Sequence, residues 1–322
     1  MAKSRKEPSY IALQRTGALK KRISVAHELL VSCTLCPRKC GINRRRGELG
    51  LCRTGAQARV ASFGPHFGEE SPLVGRGGSG TIFFAGCNLR CVFCQNDAIS
   101  HIDKQGDSAA DTVDAHELAS IMINLQMQGC HNINLVTPSH VVPQFLAALP
   151  MAIDRGLNIP IVYNSSGYDS VDTLRLLEDI VDIYLPDCKF WMPETAALYT
   201  KAADYPAVMR KALKEMHRQV GNLGIDEAGL ACRGLLIRHL VMPGHLEDTA
   251  GVLAFLAKDI STATYVNIMD QYRPCYQAFN YEPINRTLRP EEYEQAIATA
   301  KEFGLHRLDL REWEKILRHL GL

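Results

Sequence analysis

From Thr81 onward, short apolar runs rich in β-branched and aromatic residues alternate with segments in which apolar residues recur every three or four positions. The short runs are typical of buried strands, and the longer periodic segments are typical of helices. The predicted strands lie at 81–86, 132–136, 159–164, 181–186, 234–241 and 264–269. The predicted helices lie at 115–128, 141–155, 171–179, 205–221, 247–258, 290–303 and 311–319. Strands joined by helical crossovers form parallel sheets, so the pattern predicts an α/β protein with an open (β/α)6 partial TIM barrel.

The segment before the barrel has a different pattern. Residues 1–60 predict an amphipathic helix followed by a small metal-binding module that is punctuated by cysteine and glycine. Residues 61–80 are rich in glycine and proline and predict a loop-like connector. Within it, the segment 65–70 with His66, Glu69 and Glu70 is interpreted as a solvated loop without a role, and the alternative is a lid over the active face. The run Gly75–Gly80 lacks the Gly-Lys-Ser/Thr ending of a phosphate loop. We therefore divide the chain into a module at 1–60, a connector at 61–80 and a barrel with C-terminal helices at 81–322.

Two helix starts carry specific signals. Asp114 and Glu117 stand three positions apart ahead of an apolar periodic segment, which predicts a capping box. Pro290 occupies a position that suits the first turn of a later helix, because proline has no N–H to lose there. These signals support the helices predicted at 115–128 and 290–303.

The first predicted strand runs directly into Cys87, Cys91 and Cys94, which we call the rim cysteines. Three thiolates spaced CxxxCxxC can ligate three irons of a 4Fe–4S cubane, whereas most such clusters take four cysteines. One iron would then stay open to another ligand. A zinc knuckle or a disulfide pair is the alternative, but zinc prefers four closed ligands and His101, the nearest further donor, lies beyond the loop.

A second group of cysteines, Cys33, Cys36, Cys40 and Cys52, supplies four thiolates within twenty residues, and we call it the four-cysteine set. Intervening glycines allow the chain to wrap around a metal. A closed site of four thiolates suits structural zinc, for which binding energy is also folding energy. Three cysteines within eight residues and a distant fourth also suit an auxiliary 4Fe–4S cluster. The sequence leaves these two metals open.

Composition supports the metal interpretation. The chain has 322 residues, of which 46% are hydrophobic and 22% charged, so it can bury a core of barrel size. No apolar run reaches the length of a membrane span, and the first ten residues lack the apolar region of a signal peptide. These features predict a cytoplasmic protein without a membrane partner. Disulfides are rare in the cytoplasm, and clustered cysteines there bind metals more often.

Charge is unevenly distributed along the chain. Residues 1–60 contain 14 Lys/Arg against 3 Asp/Glu, whereas the remaining residues contain 22 against 32. A basic N-terminal segment can bind RNA or an acidic protein surface. It can also offset the negative charge of a thiolate-ligated metal centre. Because aromatic residues are not interleaved and no nucleic-acid motif is present, nucleic acid is not expected as a partner.

Polar residues follow each predicted strand. Because the carboxyl ends of parallel strands meet on one face of a barrel, these residues should gather there. Alternation along the fourth strand places Asp187 and Lys189 on one face and Cys188 on the other. The residues expected on this rim include Thr137, Pro138 and Ser139 after the second strand, Asn164 and Ser165 after the third, and Asp187 and Lys189 after the fourth.

Together these motifs resemble the radical S-adenosylmethionine (SAM) enzymes. The chain is similar to the pyruvate formate-lyase-activating-enzyme-like branch, and to a subgroup of it with an N-terminal four-cysteine module. The resemblance rests on the four-cysteine set, on the segment from Gly80 to Asn96 and on two further phrases. These phrases are Asn-Leu-Val-Thr-Pro-Ser-His at 134–140 and Val-Asn-Ile-Met-Asp-Gln-Tyr at 266–272.

The resemblance implies positions for SAM. Thr137, Pro138 and Ser139 stand where the family has a Gly-Gly-Glu-Pro-type loop that receives the SAM amino group. This chain has neither the glycine pair nor the glutamate, so a hydroxyl or a backbone carbonyl would have to serve. Asn164 and Ser165 match the position that meets the ribose or the methionine carboxylate.

The resemblance also implies roles around the cluster. The rim cysteines would ligate a 4Fe–4S cluster, with the aromatic Phe93 just before the last of them. Asp187 and Lys189 match an Asp-x-Lys element of activating enzymes, where a monovalent cation lies close by. Lys189 would neutralise the SAM carboxylate, and Asp187 would orient that lysine or ligate the cation.

The function implied by the resemblance is that of a radical SAM enzyme. A reduced cluster would cleave SAM, and the resulting 5′-deoxyadenosyl radical would abstract hydrogen from a substrate. A glycine of a glycyl-radical enzyme is the activase-like target, and an electron donor of the flavodoxin or ferredoxin type is expected. Residues 97–114 are too short for the ferredoxin-like insert that activating enzymes with extra clusters usually carry. The alternatives are a metabolite, peptide or RNA substrate, or a zinc-binding interaction protein.

Overall fold

The computed structural model describes residues 7–102 and 110–309, so the helix predicted at 311–319 lies outside the described residues. All six predicted strands are present, with bounds shifted by at most three residues. The strands are β1 (Ala58–His66), β2 (Ser79–Phe84), β3 (Asp111–Val113), β4 (Ile133–Val136), β5 (Ile161–Ser165), β6 (Ile183–Pro186), β7 (Gly224–Ile225), β8 (Ala231–Leu240), β9 (Tyr265–Met269) and β10 (Arg307–Leu308).

The sheet runs in the order β10-β9-β8-β6-β5-β4-β2-β1-β3, with β7 paired to β8. Every pair from β10 to β2 is parallel, whereas β1 pairs antiparallel with β2 and with β3. The two ends of this order do not pair with each other, so the sheet is open. The predicted partial TIM barrel is therefore confirmed.

The predicted helices within the described residues are also present. Two short helices, at 71–74 and 97–100, and a longer one at 193–200 were not predicted. The helices are α1 (Ser9–Arg15), α2 (Ala18–Glu28), α3 (Ser71–Val74), α4 (Asp97–Ser100), α5 (Ala115–Met127), α6 (Val142–Asp154), α7 (Val171–Leu176), α8 (Pro193–Thr200), α9 (Tyr205–Val220), α10 (Leu246–Phe255) and α11 (Pro290–Glu302). Within residues 7–102 and 110–309, no helix combines the length and the hydrophobicity that a transmembrane span requires.

Local capping explains where the first crossover helix begins. The Asp114 carboxylate accepts the backbone N–H of Glu117 at 2.8 Å, and the Glu117 carboxylate accepts the N–H of Asp114 at 2.8 Å. This reciprocal arrangement satisfies two N–H groups that the helix itself leaves unpaired. The predicted capping box is confirmed, as is Pro290 in the first turn of α11.

The segment expected to be a loop-like connector is more ordered than its composition suggests. Residues 58–66 form β1, which crosses the boundary placed between residues 60 and 61, and α3 follows at 71–74. Pairing with β2 explains the difference, because a neighbouring strand supplies the backbone hydrogen bonds that glycine- and proline-rich sequences do not favour locally. The division into module, connector and barrel stays a prediction.

The interior of the barrel consists of strands that are buried on both faces. Every residue of β5 and β6 is buried, as expected for parallel strands covered by helices. The N-terminal helices complete this cover, since α2 packs against α6 and the Tyr10 hydroxyl donates to the carbonyl of Ile159 at 2.8 Å. The covered sheet leaves its strand ends as the place where polar side chains can meet.

Candidate active site

A cavity of about 590 Å³ lies at the carboxyl ends of the parallel strands. It collects side chains from β2, β4, β5, β8 and β9, from the residues that follow β6 and from the loop that carries the rim cysteines. Eight of the residues expected to form a site line this cavity: Cys87, Cys91, Phe93, Cys94, Thr137, Asn164, Asp187 and Lys189. The fold therefore brings most of the predicted rim together.

The rim cysteines lie in a tight loop directly after β2. Cys91 is buried and the other two are half-buried. The Leu89 N–H points at the Cys87 sulfur at 3.4 Å, and the Ser100 hydroxyl lies 3.1 Å from the Cys94 sulfur. Burial raises the pKa of Cys87 to about 11 and also raises that of Cys94. Metals bind the thiolate form of cysteine. The positively charged core of a bound cluster therefore has to compensate for the cost of burying the thiolate charge.

Phe93 closes one side of the cysteine loop. It is 6% exposed and packs edge-to-face against Phe190, with ring centroids 5.8 Å apart. The ammonium of Lys189 lies 6.0 Å from the centre of the Phe93 ring. The aromatic pair is therefore positioned to shield the cysteine loop from water.

Asp187 and Lys189 form an ion pair on the cavity wall. The Lys189 ammonium lies 2.6 Å from the Asp187 carboxylate, and their side chains are 17% and 27% exposed, respectively. Burial acts to lower the pKa of Lys189, but the charges of Asp187 and the rim cysteines raise it further than burial lowers it. Cys188 is fully buried and absent from the cavity wall, as strand alternation predicts. Lys189 is thus a fixed cation between a carboxylate and the rim cysteines.

The loops after β4 and β5 place only part of the expected SAM-binding set at the cavity. Thr137 and Asn164 line it, whereas Pro138, Ser139 and Ser165 do not. The reason on β5 is alternation, because neighbouring residues point to opposite faces. The sequence interpretation selected Asn164 and Ser165, which lie on opposite faces of this strand end. In the structure Ser165 does not line the cavity.

Ser139 and Ser165 share a buried partner, Asp169. Each serine hydroxyl donates to the Asp169 carboxylate at 2.6 Å, and the Tyr163 hydroxyl donates to it at 2.9 Å. Burial raises the pKa of Asp169, and the three hydroxyl donors act in the opposite direction. Asp169 therefore ties the loop after β4 to the end of β5, and it positions Thr137 and Asn164 indirectly.

Ser166 is a cavity residue that our sequence interpretation did not select. Its hydroxyl is buried and has no hydrogen-bond partner among the described residues, although it lines the cavity. A buried hydroxyl without a partner is costly, so it marks a place where a ligand can donate or accept a hydrogen bond. The signal in the sequence is its spacing of two from Asn164, which puts both on one face.

The opposite wall of the cavity carries a buried charge network. The Arg238 guanidinium donates to both oxygens of Glu70, at 2.6 and 2.8 Å, and is also paired with Glu69. Asn267 donates to Glu70 at 2.8 Å. Burial acts to raise the pKa of Glu70, but Arg238 holds it below its usual range. The interpretation of residues 65–70 as a solvated loop holds for residues 66–68, which are exposed, and is wrong for Glu69 and Glu70, whose carboxylates are buried against Arg238.

The four-cysteine set surrounds a separate small cavity behind the cysteine loop. All four side chains line it, together with Arg44, Asn88 and His140. Three of the cysteines are buried and Cys40 is exposed. Burial raises the pKa of Cys36 to about 12. The four thiols thus lie together in the structure, whereas metal binding by them stays a prediction.

Comparison with known proteins assigns the chain to a family. The model of the radical SAM superfamily matches residues 81–256. An uncharacterized protein of Methanocaldococcus jannaschii, MJ0674, is 36% identical over 294 residues, which cover 90% of this chain and 80% of that protein. The chain belongs to the radical SAM superfamily.

The solved structures to which the chain is similar share less sequence identity with it than this relative does. QueE from Escherichia coli is 12% identical with a TM-score of 0.43, over 79% of this chain and 94% of QueE. SuiB from Streptococcus suis, solved with its precursor peptide SuiA, is 12% identical with a TM-score of 0.46, over 73% of this chain and 49% of SuiB. HydG from Carboxydothermus hydrogenoformans is 15% identical with a TM-score of 0.44, over 73% of this chain and 54% of HydG.

Membership of this superfamily indicates an enzyme and implies two cofactors, a 4Fe–4S cluster and SAM. The residues at the cavity fit both. Three cysteines on one loop leave one iron of a cubane without a protein ligand. Beside them, the unpartnered hydroxyl of Ser166 and the side chain of Asn164 offer polar contacts, and Lys189 offers a cation for a carboxylate. This donor set is consistent with SAM bound next to the open iron.

Asp169 provides a first prediction. Replacing Asp169 with asparagine should raise the Kd for SAM about tenfold, because an amide cannot accept hydroxyl hydrogen bonds at both of its ends. The maximal rate of SAM cleavage should fall less, since no group that touches SAM is removed. Equilibrium dialysis with SAM and single-turnover kinetics measure the two quantities.

The control for this prediction is Tyr163→Phe. It removes one of the three hydroxyl donors to Asp169 but leaves both serine hydrogen bonds intact, so SAM affinity should change less than threefold. An Asp169→Asn variant that binds SAM as tightly as the wild type would contradict a positioning role for Asp169.

Proposed function

We propose that the rim cysteines hold the 4Fe–4S cluster of a radical SAM enzyme and that SAM lies between them and the ends of β4, β5 and β6. Bound there, the reduced cluster and SAM supply a carbon radical that abstracts a hydrogen atom from the substrate. The observation that carries this proposal is that the rim cysteines, the Asp187–Lys189 ion pair and the unpartnered Ser166 hydroxyl line one cavity.

The protein's own residues orient SAM in this proposal. Lys189, held as a cation, pairs with the methionine carboxylate, and Asp187 fixes the position of its ammonium. Asn164 and Ser166 hydrogen-bond to the ribose or the carboxylate. Thr137 supplies a hydroxyl or a backbone carbonyl to the amino group, in place of the glutamate that this chain lacks. A monovalent cation would bind at the Asp187 carboxylate.

We propose a glycine of a glycyl-radical enzyme as the target of the radical. The support is the Asp187-x-Lys189 element, which resembles that of activating enzymes and which the structure presents on the cavity wall. The test incubates the reconstituted enzyme, SAM and a reductant with a glycyl-radical enzyme encoded by a neighbouring gene. An organic radical with the electron paramagnetic resonance (EPR) spectrum of a glycyl radical is expected. Its absence, despite robust 5′-deoxyadenosine formation, would contradict this target.

A second candidate, a positively charged metabolite or peptide, is favoured by the charge of the cavity. Five carboxylates line it against two cations, Lys189 and Arg238, within the part of the chain that the structure describes; the carboxylates are Glu69, Glu70, Asp187, Asp270 and Asp309. An excess of negative charge in a cleft attracts cationic ligands. Deuterated amines and lysine- or arginine-containing peptides test this candidate, because the correct substrate transfers deuterium to 5′-deoxyadenosine.

A further inference from the structure

We propose that the four-cysteine set holds a second iron–sulfur cluster, which takes single electrons from an acidic electron-transfer protein and passes them to the cluster on the rim cysteines. This inference rests on the proposed function, because it presupposes that the rim cysteines carry a cluster. Five observations support it: the shape of the loop, a buried cation, the arrangement of the sulfurs, their place behind the cysteine loop and the charge of the surrounding surface.

The loop that carries the four-cysteine set is folded around its sulfurs. The Cys33 N–H donates to the carbonyl of Ile42 at 2.9 Å, and the N–H of Gly41 donates back to the carbonyl of Cys33 at 3.0 Å. A side chain at Gly50 would place its Cβ 3.0 Å from the Cys40 sulfur. The lack of a side chain at Gly50 therefore leaves space beside the Cys40 sulfur. The enclosed space is small, about 10 Å³, so a bound cluster would extend to the open side where Cys40 reaches the surface.

Arg44 is a buried cation beside these sulfurs. It is 1% exposed, and its guanidinium donates to the carbonyls of Gly55 and His140 and lies 4.0 Å from the Cys33 sulfur. None of the ion pairs formed among residues 7–102 and 110–309 includes Arg44. A buried charge without a counter-charge is costly. Thiolates around a metal core supply the missing negative charge at this place.

The arrangement of the sulfurs favours a cluster over a single zinc ion. Across the described residues, no three Cys, His, Asp or Glu side chains converge on one point where a single ion would bind. The rim cysteines share this property, and superfamily membership assigns a cubane to them. A cubane distributes its thiolates over separate irons, whereas zinc draws four ligands to one centre. The four-cysteine set thus resembles the rim cysteines and not a compact zinc site.

The two cysteine sites adjoin each other through the backbone. Gly86, which precedes Cys87, has a φ of +87°, and a Cβ there would overlap the carbonyl oxygen of Cys52. Asn88, which follows Cys87, lines the small cavity with all four cysteines of the set. Residues on both sides of Cys87 therefore touch the second site. An electron leaving the four-cysteine set has a direct packed route to the rim cysteines.

The surface around the four-cysteine set suits an acidic partner. Residues 33–53 contain six Lys/Arg and a single acidic residue, Glu48, for a net charge of +5. A tetrathiolate site carries a charge of about −2, because four thiolates surround a divalent core. The net charge of +5 on residues 33–53 is larger than the charge required to neutralise the metal site. Lys39, Arg45 and Arg46 are exposed near the exposed Cys40, so a negatively charged donor protein can be steered towards it.

Each transfer in this proposal moves one electron. A reduced ferredoxin- or flavodoxin-class protein is oxidised by one electron, and the second cluster is reduced by one. The second cluster then returns to its oxidised state as the cluster on the rim cysteines is reduced. The substrate reaction itself is unchanged, because the second cluster supplies only the electron that SAM cleavage requires.

The first experiment measures metals and spectra of the reconstituted holoenzyme. Wild-type protein should contain about eight irons per chain and Cys36→Ala about four. EPR of the reduced wild type should show two interacting clusters, and SAM should alter the signal of only one of them. Cys232→Ser, which alters a cysteine outside both sets, should match the wild type. Zinc in place of the second group of irons overturns the proposal.

The second experiment compares two reductants, dithionite and a reduced acidic ferredoxin. Cys36→Ala should lower the ratio of ferredoxin-driven to dithionite-driven SAM cleavage at least tenfold. Charge reversal by Lys39→Glu with Arg45→Glu should raise the KM for ferredoxin at least fivefold, whereas Lys211→Glu on α9 should leave it unchanged. A wild-type ratio in Cys36→Ala, or a wild-type KM for ferredoxin in the charge-reversal variant, overturns the proposal. If the wild type makes no 5′-deoxyadenosine with dithionite, the proposed function itself fails.

Discussion

Replacing Cys87 with alanine should lower the rate of SAM cleavage at least about a thousandfold, close to the rate without enzyme. The reason is that, among the described residues, three thiols line the cavity beside the SAM-binding residues, and the two that remain do not retain a cubane. Iron should fall to the amount held by the four-cysteine set. The measurement is 5′-deoxyadenosine formed per chain under dithionite, together with iron content.

A cysteine outside both sets provides the control for this prediction. Cys232 is half-buried at the side of the barrel, and its thiol donates to the carbonyl of Leu230 at 3.6 Å. Cys232→Ser should keep its iron and cleave SAM within about twofold of the wild type. If Cys87→Ala still cleaves SAM at a rate near that of this control, the cluster is not held by the rim cysteines.

Replacing Lys189 with methionine should produce the second large effect. SAM affinity should fall about a hundredfold, because the cation proposed to meet the SAM carboxylate is lost. The free energy of unfolding should also fall by about 2–4 kcal/mol, since Asp187 is left largely buried without its counter-charge. The cluster should become harder to reduce, because a nearby positive charge favours the added electron. Dialysis with SAM, urea denaturation and a redox titration measure these changes.

A double variant separates binding from stability. Adding Asp187→Asn to Lys189→Met removes the stranded carboxylate, so much of the lost stability should return while SAM affinity stays low. The matched control is Lys214→Met, which breaks an ion pair of the same 2.6 Å length to Asp259, with side chains 53% and 44% exposed. An exposed pair contributes less than about 1 kcal/mol, so this variant should bind SAM normally. Normal SAM affinity in Lys189→Met would contradict the role of that lysine.

The sequence predicted the frame of the protein well because its signals there are local. Six apolar runs predicted six of the seven strands that pair in parallel, since the length and composition of a buried strand do not depend on distant residues. The capping box at Asp114 was visible for the same reason. The seventh parallel strand, the two-residue β10, was not predicted. Strand β1 was missed because Gly64 and Pro65 disfavour a strand locally, and only pairing with β2 makes that conformation favourable.

The residues of the candidate site also fall into two groups: those that a local pattern predicts and those that only the folded structure identifies. Alternation along one strand correctly put Asp187 and Lys189 on the cavity side and Cys188 on the other. The same rule, applied from Asn164, would have selected Ser166 instead of Ser165. No local rule could have found Asp169, because its three hydroxyl partners are recognised only once β4 and β5 lie side by side.

By itself, the sequence determined the parallel barrel, the two groups of cysteines and the strand ends on which polar chemistry gathers. These features follow from periodicity and spacing, which act over a few neighbouring residues. Only the tertiary structure decided that Glu70 lies against Arg238, 168 residues away, and that the backbone of Cys52 packs on Gly86. Such contacts depend on which segments fold onto the same strand ends, and that arrangement is fixed by the packing of the whole sheet.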